Sequence, residues 1–580
     1  MKFRDRICFL GELRGWFAGL AFLFLIASGW STRAEGEYFF TWQAAPASVP
    51  SSEELLQRVA GLVERGKFSE AEAPARRAVR SSPGSAVAHN LLAIVLDQLG
   101  HPAEAEREYR EAVRLDPKFA GATNNLGNLL ARLNRMDQAE AEFERILRLD
   151  PKYAQAHFNL GRLFAAKGRY VEAADHFRAA RQLRPDDSSV LLLFIDAALK
   201  AEKPALKDEA LSAASELERS AANDTQVLSP LAVLLAESGE YEHAAGLFSR
   251  LAELQPNSFE VLYNLGLADF NLKKYAEAGH ALAEAADLNP KPAEVHFRLG
   301  MIASEIGDTE NAVLEFTHAT ERDPGNSQYH YLLGREYYRA GFWDGAVTQY
   351  RRATELDGRQ PLYFLSLGNA LFRANNYPGA TRAFVRAGEL DPKIPDVEYL
   401  IGYGYRAQGQ FDQAREHLAR ELAVNPKHVE SLANLGYLAL EQGIYAEAQK
   451  HLEEALELDP DNIAANFDLA RVWIKQRQTD RALEALLHVV NLSPDHAQAH
   501  YQLFLLYSRT KQSEAAQKEL AKFKEMEELD KELQREESRI EKTRRFRMTG
   551  STEEIAEPAA MGQSHAPTPV APPPPGASKP

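Results

Sequence analysis

Histidines are the side chains of this chain with the clearest capacity for metal binding or acid–base chemistry, and there are 16 of them. Five share one phase of the 34-residue repeat described below. A metal site needs ligands that converge on one point, whereas residues in the same phase lie at least one full repeat apart. We therefore expect structural histidines, no metal site and no cofactor. The five are His89, His157, His296, His330 and His500.

Motifs that would support catalysis are missing from the sequence. No glycine-rich phosphate loop follows a strand-like segment, and no nucleophile elbow is present. No segment outside the repeat is long enough for a catalytic domain, so we expect a protein that is not an enzyme. The formal net charge of -16 also argues against nucleic acid as a partner, because the phosphate backbone attracts basic surfaces.

Arginine and aromatic residues alternate between positions 331 and 406, and both types are enriched at binding hot spots. A guanidinium donates directed hydrogen bonds to carboxylates, which predicts an acidic protein or peptide partner, with an anionic glycan as a second option. Alternatively, the arginines form a solvated stripe and the aromatics belong partly to the core. The candidate residues are Tyr331, Arg335, Tyr338, Arg339, Phe372, Arg373, Tyr399, Tyr403 and Arg406.

The elements that must position these residues follow from a recurring phrase of the type LDP. Its proline recurs every 34 residues. Gly358 replaces the proline at one expected position, and the interval between Pro185 and Pro256 is two periods plus three residues. A fixed period in this range indicates a repeat architecture. The prolines are Pro83, Pro117, Pro151, Pro185, Pro256, Pro290, Pro324, Pro392, Pro426, Pro460 and Pro494.

Each repeat is predicted to be a pair of helices. With proline numbered 32, every repeat has alanine at position 20, most have glycine at position 8, and large apolar residues occupy positions 7, 11 and 24. Small residues let two helices approach closely while the large ones fill the space around the contact. Gly168 is a predicted helix stop, and proline ends the second helix of each repeat.

These positions resemble the motif of the tetratricopeptide repeat family over residues 52–530, or about 14 repeats. The resemblance implies an all-α, right-handed α-solenoid superhelix whose concave surface is lined by first helices. Family members typically act as scaffolds or peptide receptors. Positions 9, 12 and 13 would face the concave groove, and here they carry ten basic and six acidic residues.

Two family branches imply a second group of candidates. One branch clamps a terminal carboxylate; Asn128 and Asn159 match its asparagines, but the cationic positions do not match. The other holds peptide backbones with an asparagine ladder at position 6 and carries a sugar-transfer domain. Here that ladder is interrupted and the domain is absent from the sequence. The secondary groove candidates are Asn125, Asn128, Arg132, Asn159 and Arg162.

The N-terminal 34 residues have a basic start, an apolar stretch and small residues around Ala34, which is typical of a signal peptide. We expect an exported protein, periplasmic or secreted. The alternative is an inner-membrane anchor formed by residues 16–30, which would be the only membrane contact. Residues 35–51 would be a linker.

The rest of the chain divides, on the sequence, into residues 52–224 (repeats 1–5), 225–530 (repeats 6–14), a charged helical extension at 531–547 and a proline-rich disordered tail at 548–580. Repeat 5 is degenerate, with Ile195 in place of glycine and an enlarged turn. It is a candidate hinge or an ordinary surface insertion. Residues 520–547 hint at a coiled coil, with capping of the solenoid as the alternative.

The function predicted from these observations is a non-enzymatic interaction scaffold outside the cytoplasm that binds extended peptides or partner proteins in its concave groove. The alternative is an envelope or polysaccharide export component whose repeats position a glycan or a glycosyltransferase.

Overall fold

The computed structural model describes residues 51–549, and within them every regular element is helical. There are 28 helices, arranged as 14 consecutive pairs that coincide with the repeats. The all-α solenoid of about 14 helix pairs expected from the sequence is thus confirmed. The segments predicted to be a signal peptide, a linker up to residue 50 and a proline-rich tail from residue 550 lie outside the described residues.

Contacts divide the described chain into two compact units, 51–281 and 282–549, with the boundary inside a helix. In the first unit the helices are α1 (Ser52–Glu64), α2 (Phe68–Ser81), α3 (Ala86–Gln98), α4 (Pro102–Leu115), α5 (Ala120–Arg132), α6 (Met136–Leu149), α7 (Ala154–Ala166), α8 (Tyr170–Leu183), α9 (Ser188–Lys200), α10 (Pro204–Ala221), α11 (Thr225–Glu237), α12 (Tyr241–Leu254) and α13 (Phe259–Asn271). Helix α14 (Tyr275–Leu288) contains the boundary.

The second unit continues the same alternation of first helices (odd numbers) and second helices (even numbers). Its helices are α15 (Ala293–Glu305), α16 (Thr309–Arg322), α17 (Ser327–Arg339), α18 (Trp343–Leu356), α19 (Pro361–Arg373), α20 (Tyr377–Leu390), α21 (Val397–Ala407), α22 (Phe411–Val424), α23 (Val429–Glu441), α24 (Tyr445–Leu458), α25 (Ile463–Lys475), α26 (Thr479–Leu492), α27 (Ala497–Arg509) and α28 (Ser513–Thr549).

The turn inside each repeat is made by position 15, which has a positive φ in all 14 repeats. Eight of these residues are glycines, such as Gly168 at φ 73°, and the others include Asn134 and Lys273. Glycine suits this position because it adopts the left-handed conformation without a steric penalty. The prediction that Gly168 ends a helix is therefore confirmed, since α7 ends at Ala166.

The turn between repeats explains the acidic residue of the LDP phrase. Asp150 accepts a hydrogen bond from the backbone N–H of Lys152 at 3.0 Å, and Asp391 accepts one from Lys393 at the same distance. An Asx turn of this kind fixes the backbone immediately before and after the proline. The aspartate and the proline thus act together, the first by shaping the turn and the second by ending the helix.

The core of each repeat lies where its two helices cross. Alanine at position 20 is fully buried in repeat after repeat, for example Ala312 and Ala346 at 0% exposure. The glycine at position 8 faces the ring at position 24: a Cβ on Gly300 would lie 2.7 Å from Phe316 Cδ1. First helices of neighbouring repeats also contact each other, as α17 does α19 and α23 does α25.

The sequence irregularities have small local consequences. Helix α10 of repeat 5 has 18 residues instead of the usual 14, and it stays packed, with Ala210 and Ala214 fully buried. The expected boundary at residues 224 and 225 lies inside the first compact unit. At the other end, the second helix of repeat 14 and the charged extension form one helix of 37 residues, α28, on which Leu529 and Leu533 are half exposed.

Candidate ligand-binding surface

The nine principal candidates lie on three successive first helices, α17, α19 and α21, all in the second compact unit. The four-residue spacing of Arg335 and Arg339 places both on one face of α17, while α19 and α21 contribute one arginine each, Arg373 and Arg406. We call Arg335, Arg339, Arg373 and Arg406 the arginine surface.

Arg335 and Arg339 are held by one buried carboxylate. Glu336 is 0% exposed, and Arg335 Nε donates to its Oε1 at 3.0 Å while Arg339 Nη1 donates to its Oε2 at 3.1 Å. Ser304 lies on α15, the first helix of the preceding repeat. Its hydroxyl donates to Glu336 Oε1 at 2.8 Å and accepts from Arg335 Nη2 at 2.9 Å, so it bonds to both members of the pair. A buried carboxylate requires such pairing, because an isolated charge is strongly disfavoured in the interior.

This arrangement fixes two guanidinium groups whose side chains remain 37% and 45% exposed. Two cations share one anion, so the cluster carries one excess positive charge. Arginine has five N–H donors, and the bonds to Glu336 and Ser304 use only part of them. The remaining donors are preorganised, because the side chains that carry them are already ordered.

Arg373 is exposed, and its guanidinium carbon lies 5.6 Å from the centre of the Trp343 ring. The same indole makes an edge contact with Tyr338 at 5.1 Å between ring centres. Within residues 51–549 no acidic residue pairs with Arg373. It is therefore the arginine of this surface whose charge is least neutralised.

Arg406 is partly buried. Its guanidinium lies 4.0 Å from the centre of the Tyr437 ring, and Nη1 donates to the side-chain oxygen of Asn434 on α23. Burial raises the pKa of Tyr437, so the phenol stays neutral at physiological pH. This cation–π contact orders Arg406 across the boundary between repeats 11 and 12.

Three of the five aromatic candidates belong to the core. Phe372 is 6% exposed, Tyr399 is 7% and Tyr403 is 6%. The Phe372 and Tyr403 rings stack at 5.1 Å, and burial raises the pKa of Tyr403. Side chains this buried offer little contact area to a ligand, so their expected role as contact residues is revised to packing.

Tyr331 and Tyr338 are only partly buried. Tyr331 stacks on Tyr363 with 4.8 Å between ring centres. These two tyrosines, together with Trp343, are therefore the aromatic groups that accompany the arginines at the accessible surface.

The secondary candidates are largely occupied by bonds between repeats. Asn159 donates to Asn124 at 2.8 Å, and Asn125 donates to Asn90 at 3.2 Å, so amides at position 6 bind amides at position 5 of the preceding repeat. Arg132 pairs with Asp97. The other two candidates are more accessible: Asn128 is partly buried, and Arg162 is exposed beside the Phe158 ring at 5.9 Å.

Sequence reasoning did not single out Glu336, Ser304 or Trp343, and it noted Asn434 only as one of the asparagines at position 6. A signal for Glu336 was present, because the other 13 repeats carry an apolar or small residue at position 10 and repeat 9 carries a glutamate. The roles of Ser304 and Asn434 depend on contacts between different repeats, which the period does not reveal.

Four of the five position 4 histidines, His89, His157, His330 and His500, contact both their own second helix and the preceding proline turn, whereas His296 lacks the contact with the turn. His89 Nδ1 lies 2.6 Å from Glu108 Oε2, and its Nε2 lies 3.0 Å from the carbonyl oxygen of Pro83. His330 makes the same two contacts, with Gln349 at 2.8 Å and the Pro324 carbonyl at 3.3 Å. Each such histidine ties a first helix to its second helix and to the preceding proline turn.

The fold defines an α-solenoid of helix pairs that presents an arginine-rich surface on its first helices. Among the described residues, no helix is long and apolar enough to span a membrane. Models of the tetratricopeptide repeat match residues 58–118, 90–152, 124–188, 230–286, 331–393 and 399–463, and a second such model matches 269–336 and 439–492. These ranges cover more than half of the chain, which belongs to the tetratricopeptide repeat family.

Several solved structures are similar to this chain at low identity. A chain of the APC/C hetero-tetramer Cut9-Hcn1 is 15% identical; the alignment covers 82% of this chain and 94% of that chain and gives a TM-score of 0.33. Yeast Tom70 is 16% identical, with 75% and 96% covered and a TM-score of 0.28. YrrB, a tetratricopeptide repeat protein with an unusual peptide-binding site, is 22% identical, with 32% and 96% covered and a TM-score of 0.28. No match was found among curated proteins.

Proposed function

We propose that this protein is a non-enzymatic scaffold that binds an extended acidic segment of a partner protein along the first helices of repeats 9–11. Membership of the family supports a protein-interaction role. The acidic character of the ligand is inferred from the arginine surface, and a location outside the cytoplasm is inferred from the N-terminal sequence.

The observation that carries this proposal is the pair Arg335 and Arg339 held on buried Glu336, beside the exposed Arg373. Four arginines are grouped with one carboxylate in a chain whose net charge is -16. A positive surface on an acidic protein attracts anionic partners. The ordered guanidinium groups favour carboxylates, which they bind in bidentate geometry.

The test measures binding of a labelled polyglutamate peptide to the full chain by fluorescence polarisation. Arg373→Glu is the informative variant, because Arg373 is exposed, lies beside the Trp343 ring and has no ion pair within residues 51–549. We expect affinity to fall about tenfold or more, as at a hot spot, without a change in the melting temperature. The matched control is Arg382→Glu, an equal charge reversal at an exposed site on second helix α20 of the same repeat.

Arg339→Glu is a poor probe of binding. It would remove a partner of buried Glu336 and add a like charge beside it, so we expect a destabilisation of roughly 1–3 kcal/mol.

Equal affinity of the wild type and Arg373→Glu for polyglutamate, or an equal loss of affinity in Arg382→Glu, would contradict binding at this surface. Binding of polygalacturonate but not of polyglutamate would instead support the glycan-positioning alternative.

A further inference from the structure

Repeat 8 brings together three side chains that the other repeats do not combine. His296 is at position 4, Glu315 at position 23 and His318 at position 26. One nitrogen of each imidazole and one carboxylate oxygen of Glu315 all lie within 4.8 Å of one another. Two imidazoles and a carboxylate, with a further position left open, form a common ligand set for Zn²⁺.

The position 4 histidine of repeat 8 is released from its usual structural bond. In repeats 2, 4, 9 and 14 the Nε2 atom of this histidine faces the carbonyl of the preceding proline, at 3.0–3.3 Å. In repeat 8 that carbonyl, on Pro290, accepts a hydrogen bond from Arg322 Nε at 2.6 Å instead. Of the two hydrogen bonds usual at this position, His296 keeps the one to its second helix, where Nδ1 lies 2.8 Å from Glu315 Oε2.

Two nitrogens of the cluster are consequently shielded from solvent without a hydrogen-bond partner, His296 Nε2 and His318 Nδ1. His296 is 7% exposed. A buried polar atom without a hydrogen-bond partner is unfavourable and requires an explanation. His318 Nδ1 is 4.0 Å from Glu315 Oε2, which is too long for a hydrogen bond but leaves room for an ion that both atoms ligate.

Two of the three candidate ligands are partly exposed to solvent. The His318 side chain is 35% exposed although its Nδ1 is shielded, and the side chain of Glu315 is 21% exposed. The cluster therefore lies close to the solvent, on the side of the partly exposed His318 ring. The ligands come from α15 and α16, so a bound ion would link the two helices of repeat 8.

A second group of possible ligands, Asp396, Glu421 and His428, fits a metal less well. His428 Nδ1 accepts a hydrogen bond from the backbone N–H of Ser431 at 3.1 Å, where it caps helix α23. A neutral ring that accepts through Nδ1 carries its proton on Nε2, the atom that faces Asp396 at 3.3 Å. Metal binding there would require loss of this proton or of the helix cap.

We propose that repeat 8 binds one divalent transition-metal ion, of which Zn²⁺ fits best, through His296, Glu315 and His318. Imidazole and carboxylate ligands are suited to this ion, and binding would displace the proton shared by His296 and Glu315. The ion would act as a structural link between α15 and α16.

Cobalt provides a direct test, because Co²⁺ in a tetrahedral nitrogen and oxygen site absorbs visible light. The full chain, carrying no histidine tag, is titrated with Co²⁺ and then with Zn²⁺. We expect one equivalent of Co²⁺ to bind, Zn²⁺ to displace it, and His318→Ala to weaken binding by about tenfold or more. Excess Zn²⁺ should raise the melting temperature of the wild type but not that of His318→Ala.

The matched control is His488→Ala. His488 occupies the same position 26 in repeat 13, where position 4 is Asn466 and position 23 is Ala485. This control should bind Co²⁺ as the wild type does. The proposal is overturned if the wild type binds no Co²⁺, or if the wild type and His318→Ala bind it with equal stoichiometry and affinity. A metal-free melting temperature equal to that of the wild type would show that His318→Ala is folded.

Discussion

At the scale of single residues, Glu336 changes the interpretation of the arginine surface. Sequence reasoning counted positions 9, 12 and 13 and found arginines without acids in repeats 9–11. The structure places a fully buried carboxylate between two of these arginines. Charge reversal at Arg339 is therefore a test of stability, and charge reversal at Arg373 is a test of binding.

His176 provides a prediction about pH. Burial, and then the neighbouring His157 at 3.0 Å, lower the pKa of His176 from 6.5 to about 4. Between these values the unfolded chain binds a proton that the folded chain does not bind. Stability should therefore decrease as the pH falls from about 6.5 to about 4, and this contribution should level off below that range.

His176→Gln should remove this contribution, so its stability should depend less steeply on pH than that of the wild type. The measurement is the urea midpoint at several pH values between 7 and 4. His101→Gln, at an exposed site, should keep the wild-type slope. Parallel pH profiles for the wild type and His176→Gln would show that His176 does not contribute.

At the scale of helices, the stability of a repeat depends on the crossing of its two helices. We expected Gly300 to face Ala312, and the structure shows that the nearest side-chain atoms belong to the buried ring of Phe316. The same pairing of position 8 with position 24 recurs at Gly127 with Phe143 and at Gly368 with Phe384. The glycine is thus needed because an aromatic ring occupies the space of a Cβ.

Gly300→Leu should therefore destabilise repeat 8 and its neighbours by roughly 1–3 kcal/mol through overpacking. The control is Gly246→Ala on α12, because no atom lies within 4 Å of the added Cβ and the residue is exposed. This second change should stabilise the protein by about 0.5–1 kcal/mol, since alanine is the better helix former. Chemical denaturation with hydrogen exchange would measure both, and equal stabilities of the two variants would contradict the assigned helix crossing.

At the scale of the whole molecule, the repeat accommodates an insertion without losing its pairing. The sequence suggested a break after repeat 5, because that repeat is three residues longer than the others. In the structure the insertion makes α10 18 residues long. The helix ends at Ala221, and the next residue, Ala222, has a φ of 45°. The division into compact units falls instead within α14, at residues 281 and 282.

Export is the prediction that concerns the complete chain. The basic start, apolar stretch and small residues of the N-terminal segment predict cleavage near Ala34, so that the mature protein begins near Glu35. N-terminal sequencing of the protein from a fractionated host would measure this. A chain that retains Met1 in the membrane fraction would contradict cleavage and support the anchor formed by residues 16–30.

The sequence by itself determined the features that depend on position within a repeat. Proline at position 32 predicted the helix ends, glycine at position 8 and alanine at position 20 predicted the close helix crossing, and all 14 helix pairs follow from this pattern. These features are encoded locally, because each depends on backbone conformation or on contacts between two helices joined by a short turn.

Only the tertiary structure decided how side chains of one repeat meet those of another. Ser304 and Glu336 form a hydrogen bond between two first helices, and Asn159 donates one to Asn124. In the turn before repeat 8, the Pro290 carbonyl accepts a hydrogen bond from Arg322 in place of the usual histidine. The exclusion of metal ligands compared histidines of different repeats, whereas the structure assembles its candidate ligands within one repeat. Such meetings depend on helix rotation and on side-chain rotamers, which a 34-residue period does not specify.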